Sequence, residues 1–347
     1  MDQVNKVKKE SRIGIVETIR GLAALAVCLF HFSKGNIEFS GSAEWYQRIV
    51  THGWLGVEAF FVLSGFIIPY SLVKGGYTIK RFFQFFAKRC LRIEPPYLLS
   101  VILVIVLGYL STIVPGFKGD PFQFNVWQTV SHVAYLPEHL GFEWLLPVYW
   151  SLEAEFHYYI LIGLLLPLLW KSEWSLLIGF AAGLASSFFV HLYVFSYMPL
   201  FVMGIAVAAY KTGRMNQLLL WIVLATAVTV SLVRGQPYAM PLTGFITALL
   251  ICYAEFKSRV TDFLGKISFS LYLLHVPIGG RIINLGGRYA DTAWKVWAVL
   301  LVALLVTLIA SWVFYKLVEY PSQLLSKKIT YKKVETGTDH ITAFPAG

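Results

Sequence analysis

The sequence predicts an all-α, polytopic membrane protein with about ten transmembrane helices. Hydrophobic residues make up 57% of the 347 residues and charged residues only 14%. The mean hydropathy is +0.64, which is too apolar for a soluble domain. Apolar runs also recur along the chain, and no Gly/Ser-rich or Pro-rich linker divides them. We therefore expect one membrane domain, residues 13–320, between a short N-terminal segment, 1–12, and a polar tail, 321–347.

Ten apolar segments are long enough, or nearly so, to cross about 30 Å of hydrocarbon as helices. In chain order they are 13–33, 53–73, 96–116, 145–169, 174–190, 192–210, 217–233, 239–254, 263–281 and 295–318.

The basic residues predict the topology of these spans. They lie in short blocks between apolar runs, which indicates membrane orientation and not nucleic-acid binding. With the N-terminus in the cytoplasm of a cell, the outer connections hold only seven of the 29 Lys and Arg residues. This asymmetry obeys the positive-inside rule and predicts that both termini are cytoplasmic in the cell membrane. The seven are Lys34, Arg48, Lys118, Arg234, Arg281, Arg288 and Lys295.

The segment YTIKRFFQFFAKRCLRIEP, residues 77–95, predicts an amphipathic helix between the second and third spans. Basic and amide side chains fall on one face and phenylalanines on the other. We expect this helix to lie on the cytoplasmic membrane surface, against lipid, and to stop at Pro95-Pro96.

The tail after Pro321 is polar and is expected to be disordered.

The first span carries a polar stripe. Arg20 and His31 are eleven residues apart, which places them roughly 16 Å apart along a helix and about 20° apart around it. Glu17 falls on the same face. Ionisable groups inside a span are costly, so each needs a partner or a water-filled cavity. The intramembrane candidates are Glu17, Arg20, His31, Glu58, Glu155, His275 and Glu319.

His31 and Glu58 are predicted at similar depth, because the first helix ends near residue 33 and the second returns from about residue 53. A carboxylate beside an imidazole fixes its tautomer and raises its basicity, as in a general base that activates a hydroxyl. A buried His–Glu hydrogen bond that only ties two helices together is an equal alternative.

Arg89 and Arg92 would face one cytoplasmic surface near Arg20. The planar guanidinium donates two parallel hydrogen bonds to a phosphate, so a phosphate-bearing cofactor is one interpretation of the pair. An anchor to lipid headgroups is the other.

The three cysteines, Cys28, Cys90 and Cys252, do not have the spacing typical of metal sites or disulfides, and no metal is expected.

Seven stretches in order, covering nearly the whole chain, resemble the acyltransferase 3 family of membrane O-acyltransferases. They are ETIRGLAALAVCLFHF, GVEAFFVLSGFII, KRCLRIEPPY, YWSLEAEFHYYILIGLLLP, MPLFVMGIAVA, LGKISFSLYLLHVPI and VEYP. Two departures are that Glu17 stands where many relatives have Asp, and His157-Tyr158 where Phe-Tyr is usual.

The resemblance implies that His31 is the catalytic histidine and Arg20 a functional arginine of the first span. It makes Arg89 and Arg92 the paired arginines of an RxxR motif. Glu58 and Glu155 fall on the acidic positions of two further motifs, and Tyr272 and His275 fall in SFSLYLLH. Some relatives carry a fused esterase-like domain, and we expect none after VEYP in this sequence.

The implied reaction moves an acyl group, expected to be acetyl, from acetyl-CoA to a hydroxyl of a carbohydrate or glycolipid. Arg20, Arg89 and Arg92 would bind the donor, and His31, Glu58 and Glu155 would serve catalysis. Trp150 and the aromatic residues of the long outer connection between the third and fourth spans are candidates for stacking on sugar rings, and an interfacial aromatic belt is the alternative. The residues of that connection are Trp127, Tyr135, Phe142 and Trp144. The rival class is a transporter of a glycan or a proton-coupled solute, because intramembrane acids and histidines also build proton relays.

Overall fold

The computed structural model describes residues 2–35, 44–113 and 122–329, with side chains from residue 14 onward in the first range. Every regular element in these ranges is a helix. In chain order the α-helices are α1 Asp2–Phe32, α2 Glu44–Val50, α3 Gly56–Lys74, α4 Phe82–Thr112, α5 Val126–Val133, α6 Trp150–Leu169, α7 Glu173–Phe189, α8 Tyr193–Ser196, α9 Met198–Lys211, α10 Gln217–Val233, α11 Ala239–Tyr253, α12 Arg259–Leu274, α13 Arg281–Gly286, α14 Ala293–Phe314 and α15 Tyr320–Lys328. Two π-helical segments, His275–Gly280 and Tyr315–Glu319, lead into α13 and α15.

The helices confirm the all-α membrane fold class. Five stretches of the described chain are long and apolar enough to cross a membrane. They are Gly14–Phe32, Trp45–Lys74, Ile79–Thr112, Pro147–Leu169 and Ala293–Lys328. Four further apolar helices, α7, α9, α10 and α11, are 14 to 17 residues long. The count of ten spans stays a prediction.

The expected helix break at Pro95-Pro96 is wrong. Both prolines lie inside α4, which runs without interruption from Phe82 to Thr112. A proline removes one backbone hydrogen bond, but packing on both sides can hold the helix together. Phe85 before the prolines and Tyr97 after them are both fully buried. The amphipathic segment and the third predicted span therefore form one helix.

Two other predicted boundaries also move. The polar tail begins as helix, because α15 continues to Lys328 and includes Pro321 directly after the π-helical segment Tyr315–Glu319. The remainder of the tail, from residue 330, lies outside the described residues. The predicted third span ends at Thr112, and residues 114–121 of the following connection also lie outside them.

Helices α1 and α12 run parallel and in close contact. Thr18 Oγ1, in the middle of α1, donates to Thr261 Oγ1, near the beginning of α12, at 2.9 Å. Further along, a Cβ at Gly21 would lie 2.7 Å from the amide nitrogen of Gly265. Only glycine allows two backbones to approach this closely, a feature typical of membrane helix pairs. The contact fixes the register of the two helices.

The remaining core packs around α3. Its first residues lie against the end of α1, with Gly53 beside Ala26 and Gly56 beside Ala23, so the two helices are antiparallel. On the opposite side, the ring of Phe61 packs against the α9 ring of Phe201 at a centroid distance of 5.0 Å. These contacts enclose the polar faces of α1, α3 and α12 within the bundle.

We predict that Gly21→Val separates α1 from α12, because the added carbons would overlap the backbone of Gly265. Overpacking of this kind costs roughly 1–3 kcal/mol. Thermal unfolding in detergent, followed by a thiol-reactive dye that reports exposure of buried Cys28 and Cys252, should show a lower Tm. The control is Gly280→Ala, where the nearest neighbouring atom is 3.9 Å from the added carbon. Equal Tm values for the two variants would contradict the close contact.

Candidate active site

A large cavity, here called the arginine cavity, has a volume of about 870 Å³. Volumes of about 300–1,000 Å³ are typical of small-molecule and cofactor sites. Five cationic side chains and three acidic ones line it. The cations are Arg20, Lys74, Arg89, Arg92 and Lys211, and the acids are Glu17, Glu155 and Glu319.

The guanidinium groups of α4 have no acidic partner at hydrogen-bond distance in the described part of the chain. Arg89 lies over the rings of Phe85 and Tyr159, at 5.7 and 5.6 Å from their centroids. Arg92, one turn later, faces the same cavity without an ion pair. Arg20 has only a long contact with Glu17, at 3.4 Å. These cations are therefore available to an anion, for which stacked arginine forks are well suited.

Two of the three acids of the arginine cavity accept hydrogen bonds from groups other than the arginines. Ser64 Oγ and Tyr159 OH both donate to Glu155 Oε1, at 2.6 and 2.5 Å. Glu319 accepts from the Ser270 amide at 3.1 Å and from Gln323 at 2.9 Å. The third acid, Glu17, makes the 3.4 Å contact with Arg20.

A second cavity, here called the histidine cavity, has a volume of about 300 Å³. His31 and Glu58 both line it, as their predicted depth requires, but no hydrogen bond joins them among the described residues. Glu58 is only 2% exposed, and its Oε2 has no partner in that part of the chain. Trp54, Trp150 and Tyr197 provide aromatic walls. The cavity thus combines an imidazole, a carboxyl group and aromatic side chains.

The tautomer of His31 follows from its contact with its own helix. Its Nδ1 lies 2.9 Å from the Val27 carbonyl oxygen. A carbonyl oxygen only accepts, so a neutral ring must carry its hydrogen on Nδ1 and leave Nε2 bare. A bare Nε2 facing a cavity is the form that a general base requires.

The two cavities meet at Val57 and Tyr272, which line both of them. The Tyr272 hydroxyl donates to the Val148 carbonyl oxygen at 2.8 Å and lies 2.7 Å from Ser151 Oγ. Tyr272 is thereby held as a wall between the cavities. Arg20 lines one of these cavities and His31 the other, and the two residues are roughly 16 Å apart along the axis of α1.

The structure divides the six predicted site residues into two groups. Arg20, Arg89 and Arg92 lie together in the arginine cavity, as expected for a common binding site, and Glu155 lies with them. His31 and Glu58 lie in the histidine cavity, so Glu155 and His31 belong to different cavities.

Sequence reasoning missed the pairing of Ser151 with Tyr272, which joins α6 to α12 over 121 positions of the chain. No local pattern reports a contact of this length. It also missed buried Glu153, whose Oε1 lies 3.6 Å from His139 and 3.7 Å from His157. The four-residue spacing of Glu153 and His157 was the available signal.

Of the aromatic residues proposed for stacking, Trp150 lines the histidine cavity. Trp127 is 70% exposed on α5, and Tyr135 is fully buried in a stack against Tyr97. The outer connection therefore contributes neither of these two rings to the cavity.

Within residues 2–35, 44–113 and 122–329, no group of three His, Cys, Asp or Glu side chains is placed to hold a metal ion.

A helical membrane bundle with a basic cavity beside a histidine-bearing cavity is the arrangement that an intramembrane group-transfer enzyme requires. Within that class, the family model described as "Acyltransferase domain" matches residues 13–316. The chain belongs to this acyltransferase 3 family and is an O-acyltransferase.

Curated relatives are consistent with this assignment. The chain is 25% identical to acyltransferase MdmB of Streptomyces mycarofaciens over 95% of its own length and 96% of that protein. It is 25% identical to O-acetyltransferase OatA of Staphylococcus aureus over 44% of this chain. It is 26% identical to peptidoglycan O-acetyltransferase OatA of Listeria monocytogenes over 49% of this chain. The matches span only about a quarter of the two OatA proteins. No solved structure matches the chain.

We predict that Tyr272→Phe destabilises the wall between the cavities. The change removes the hydroxyl that donates to the Val148 carbonyl oxygen and contacts Ser151 Oγ. Ser151 Oγ still donates to that carbonyl oxygen at 3.2 Å, so the expected cost is that of one net hydrogen bond, about 0.5–1.5 kcal/mol. The thiol-dye unfolding assay should show a lower Tm, whereas Tyr238→Phe, at a side chain that is 76% exposed, should leave it unchanged. An unaltered Tm for Tyr272→Phe would mean that the hydroxyl does not support the wall.

Proposed function

We propose that the enzyme moves an acetyl group from acetyl-CoA in the arginine cavity to a hydroxyl of a carbohydrate or glycolipid in the histidine cavity. The observation that carries this proposal is the junction at Val57 and Tyr272. These two residues line both the cavity that holds Arg89 and Arg92, which have no acidic partner among the described residues, and the cavity that holds the His31 imidazole. Donor and acceptor can then approach from opposite sides and react between the cavities.

The donor site uses charge and shape together. Arg89 and Arg92 offer two guanidinium forks to the phosphates of coenzyme A, and Arg20 lies further along the same cavity. The pantetheine arm, roughly 15–20 Å long when extended, matches the roughly 16 Å between Arg20 and His31. Donor phosphates at one end would therefore place the thioester near the junction.

His31 acts as the general base in this proposal. Its bare Nε2 takes the proton of the acceptor hydroxyl, and the oxygen attacks the thioester carbonyl carbon. The new C–O bond forms as the C–S bond breaks, and the sulfur leaves as the coenzyme A thiolate. The acceptor gains the acetyl group, and no redox change or metal is involved.

The two acids serve different cavities. Glu58 accepts a hydrogen bond from the acceptor through Oε2, because this buried oxygen has no partner among the described residues. Glu155 holds the Tyr159 hydroxyl, and the Tyr159 ring in turn lies beside the Arg89 guanidinium. Glu155 therefore supports the donor site.

A carbohydrate acceptor suits the walls of the histidine cavity. Trp54, Trp150 and Tyr197 present flat apolar surfaces on which the apolar face of a sugar ring can pack. The Listeria monocytogenes relative is a peptidoglycan O-acetyltransferase by name, which supports an acceptor of this class.

For the topology we propose ten membrane crossings, with both termini in the cytoplasm and the arginine cavity toward the cytoplasmic side of the cell membrane. The parallel course of α1 and α12 and the antiparallel course of α1 and α3 support this arrangement. Residues 13–320 form the acyltransferase domain, flanked by segments 1–12 and 321–347.

His31→Ala should abolish transfer while the protein remains folded in the membrane. Loss of a general base lowers kcat by about 10²–10⁴-fold. The assay incubates purified protein with labelled acetyl-CoA and a glycan acceptor and follows acetylated product. His52→Ala, an exposed histidine outside both cavities, should retain activity. Full activity of His31→Ala would exclude His31 as the base.

Arg89→Ala with Arg92→Ala should weaken donor binding by at least about tenfold, because hydrogen bonds to charged groups contribute about 1.5–3 kcal/mol each. Calorimetry with coenzyme A measures the Kd directly. Lys80→Ala removes an exposed cation of the same segment outside the arginine cavity and should bind normally. Equal Kd values would remove the arginine pair from the donor site.

The same preparation separates this proposal from the transporter alternative. Detergent-solubilised protein, which has no compartments to connect, should release coenzyme A thiol from acetyl-CoA when the acceptor is present. A transporter would leave the thioester intact in this assay.

A further inference from the structure

His31 contacts a second histidine that the proposed reaction has not used. His275 Nε2 lies 3.2 Å from His31 Nδ1, and the two rings are 4.9 Å apart between centroids. His275 is 0% exposed and does not line either cavity. Its role must therefore be exerted through His31.

The hydrogens of this pair follow from the surrounding carbonyl groups. His275 Nδ1 lies 3.1 Å from the Leu271 carbonyl oxygen, just as His31 Nδ1 faces that of Val27. Each Nδ1 must donate, because a carbonyl oxygen only accepts. A second hydrogen on His275 would make a buried cation, and no carboxylate accepts from it in the described part of the chain. His275 Nε2 therefore carries no hydrogen, and its lone pair faces the His31 Nδ1–H.

The register of α1 and α12 produces this contact. His31 is ten residues after Gly21, and His275 is ten residues after Gly265, so two parallel helices that touch at the glycines bring both rings to the same level. His275 is also the first residue of the π-helical segment. That segment packs tightly on α1, since a Cβ at Gly279 would lie 2.3 Å from the ring of Phe32. The backbone on both sides thus holds the two imidazoles together.

We propose that His275 is a positioning residue for His31. Its Nε2 accepts part of the His31 Nδ1–H, which keeps the His31 Nε2 bare and directed into the histidine cavity. The hydrogen bond strengthens when the acceptor proton arrives on Nε2, because the donor ring is then an imidazolium. The catalytic part of this inference rests on the proposed function. The hydrogen-bond arrangement of the two histidines does not depend on it.

Two substitutions at one position test the role. The amide oxygen of His275→Gln reaches the position of Nε2 and can still accept from His31, whereas the shorter His275→Asn reaches only the position of Nδ1. We expect the Gln variant to stay within about threefold of the parent kcat and the Asn variant to lose about tenfold or more, a fraction of what the base itself supplies. KM for acetyl-CoA should change less than about twofold in both, because the donor phosphates bind elsewhere.

Equal kcat values for the Gln and Asn variants, or losses that appear in KM alone, would overturn the proposal.

A measurement on the unaltered protein decides the question if a variant does not fold. Solid-state NMR of the ¹⁵N-histidine-labelled protein in bilayers, with His31 assigned by its loss in His31→Ala, should show a protonated Nδ1, a bare Nε2 and an N–H···N coupling to His275. A neutral His31 with hydrogen on Nε2 would contradict it. This readout needs no acyl donor, so a protein that shows the pair but consumes no acetyl-CoA would overturn the proposed function alone.

Discussion

The arrangement of the site depends on the backbone contact between α1 and α12. At Gly21 and Gly265 neither helix has a side chain, so the backbones meet directly. Lipid tails are as apolar as leucine, so membrane helices associate through close packing and polar contacts, and a glycine pair provides the first of these. Once the helices touch there, equal spacing brings His31 to His275, and the same helix directs Arg20 toward the opposite cavity.

This geometry lets one helix serve two chemical environments. Toward the arginine cavity, Arg89 and Arg92 have no acidic partner at hydrogen-bond distance among the described residues, and Glu155 and Glu319 accept from hydroxyl and amide groups instead. Toward the histidine cavity, the Val27 carbonyl fixes the imidazole. The arginines and the His31 imidazole are therefore already oriented before a ligand binds, which lowers the free-energy cost of reorganisation during binding and reaction.

Much of this could be predicted from the sequence, and the exceptions have physical reasons. Hydropathy predicts membrane helices because the bilayer penalises unsatisfied backbone, and the spacing of Arg20 and His31 places them on one helix face. Periodicity cannot report tertiary packing, which carries α4 through Pro95 and Pro96. Nor can it report which acceptor orients His31. A carboxylate was the expected partner, whereas a carbonyl of the same helix and an imidazole 244 positions away fill that role.

The wall at Tyr272 has a chemical purpose that an open pore would not serve. A thioester exposed to a continuous water path would be hydrolysed, and such a path through the membrane would also conduct ions. Tyr272 is held by Val148 and Ser151, so the cavities meet at side chains and remain two separate volumes. In the proposed reaction, the acyl-bearing arm would reach His31 past Tyr272, while the donor phosphates and the acceptor stay in their own cavities. A wall made of one held side chain would then keep donor and acceptor apart except where the acyl group is transferred.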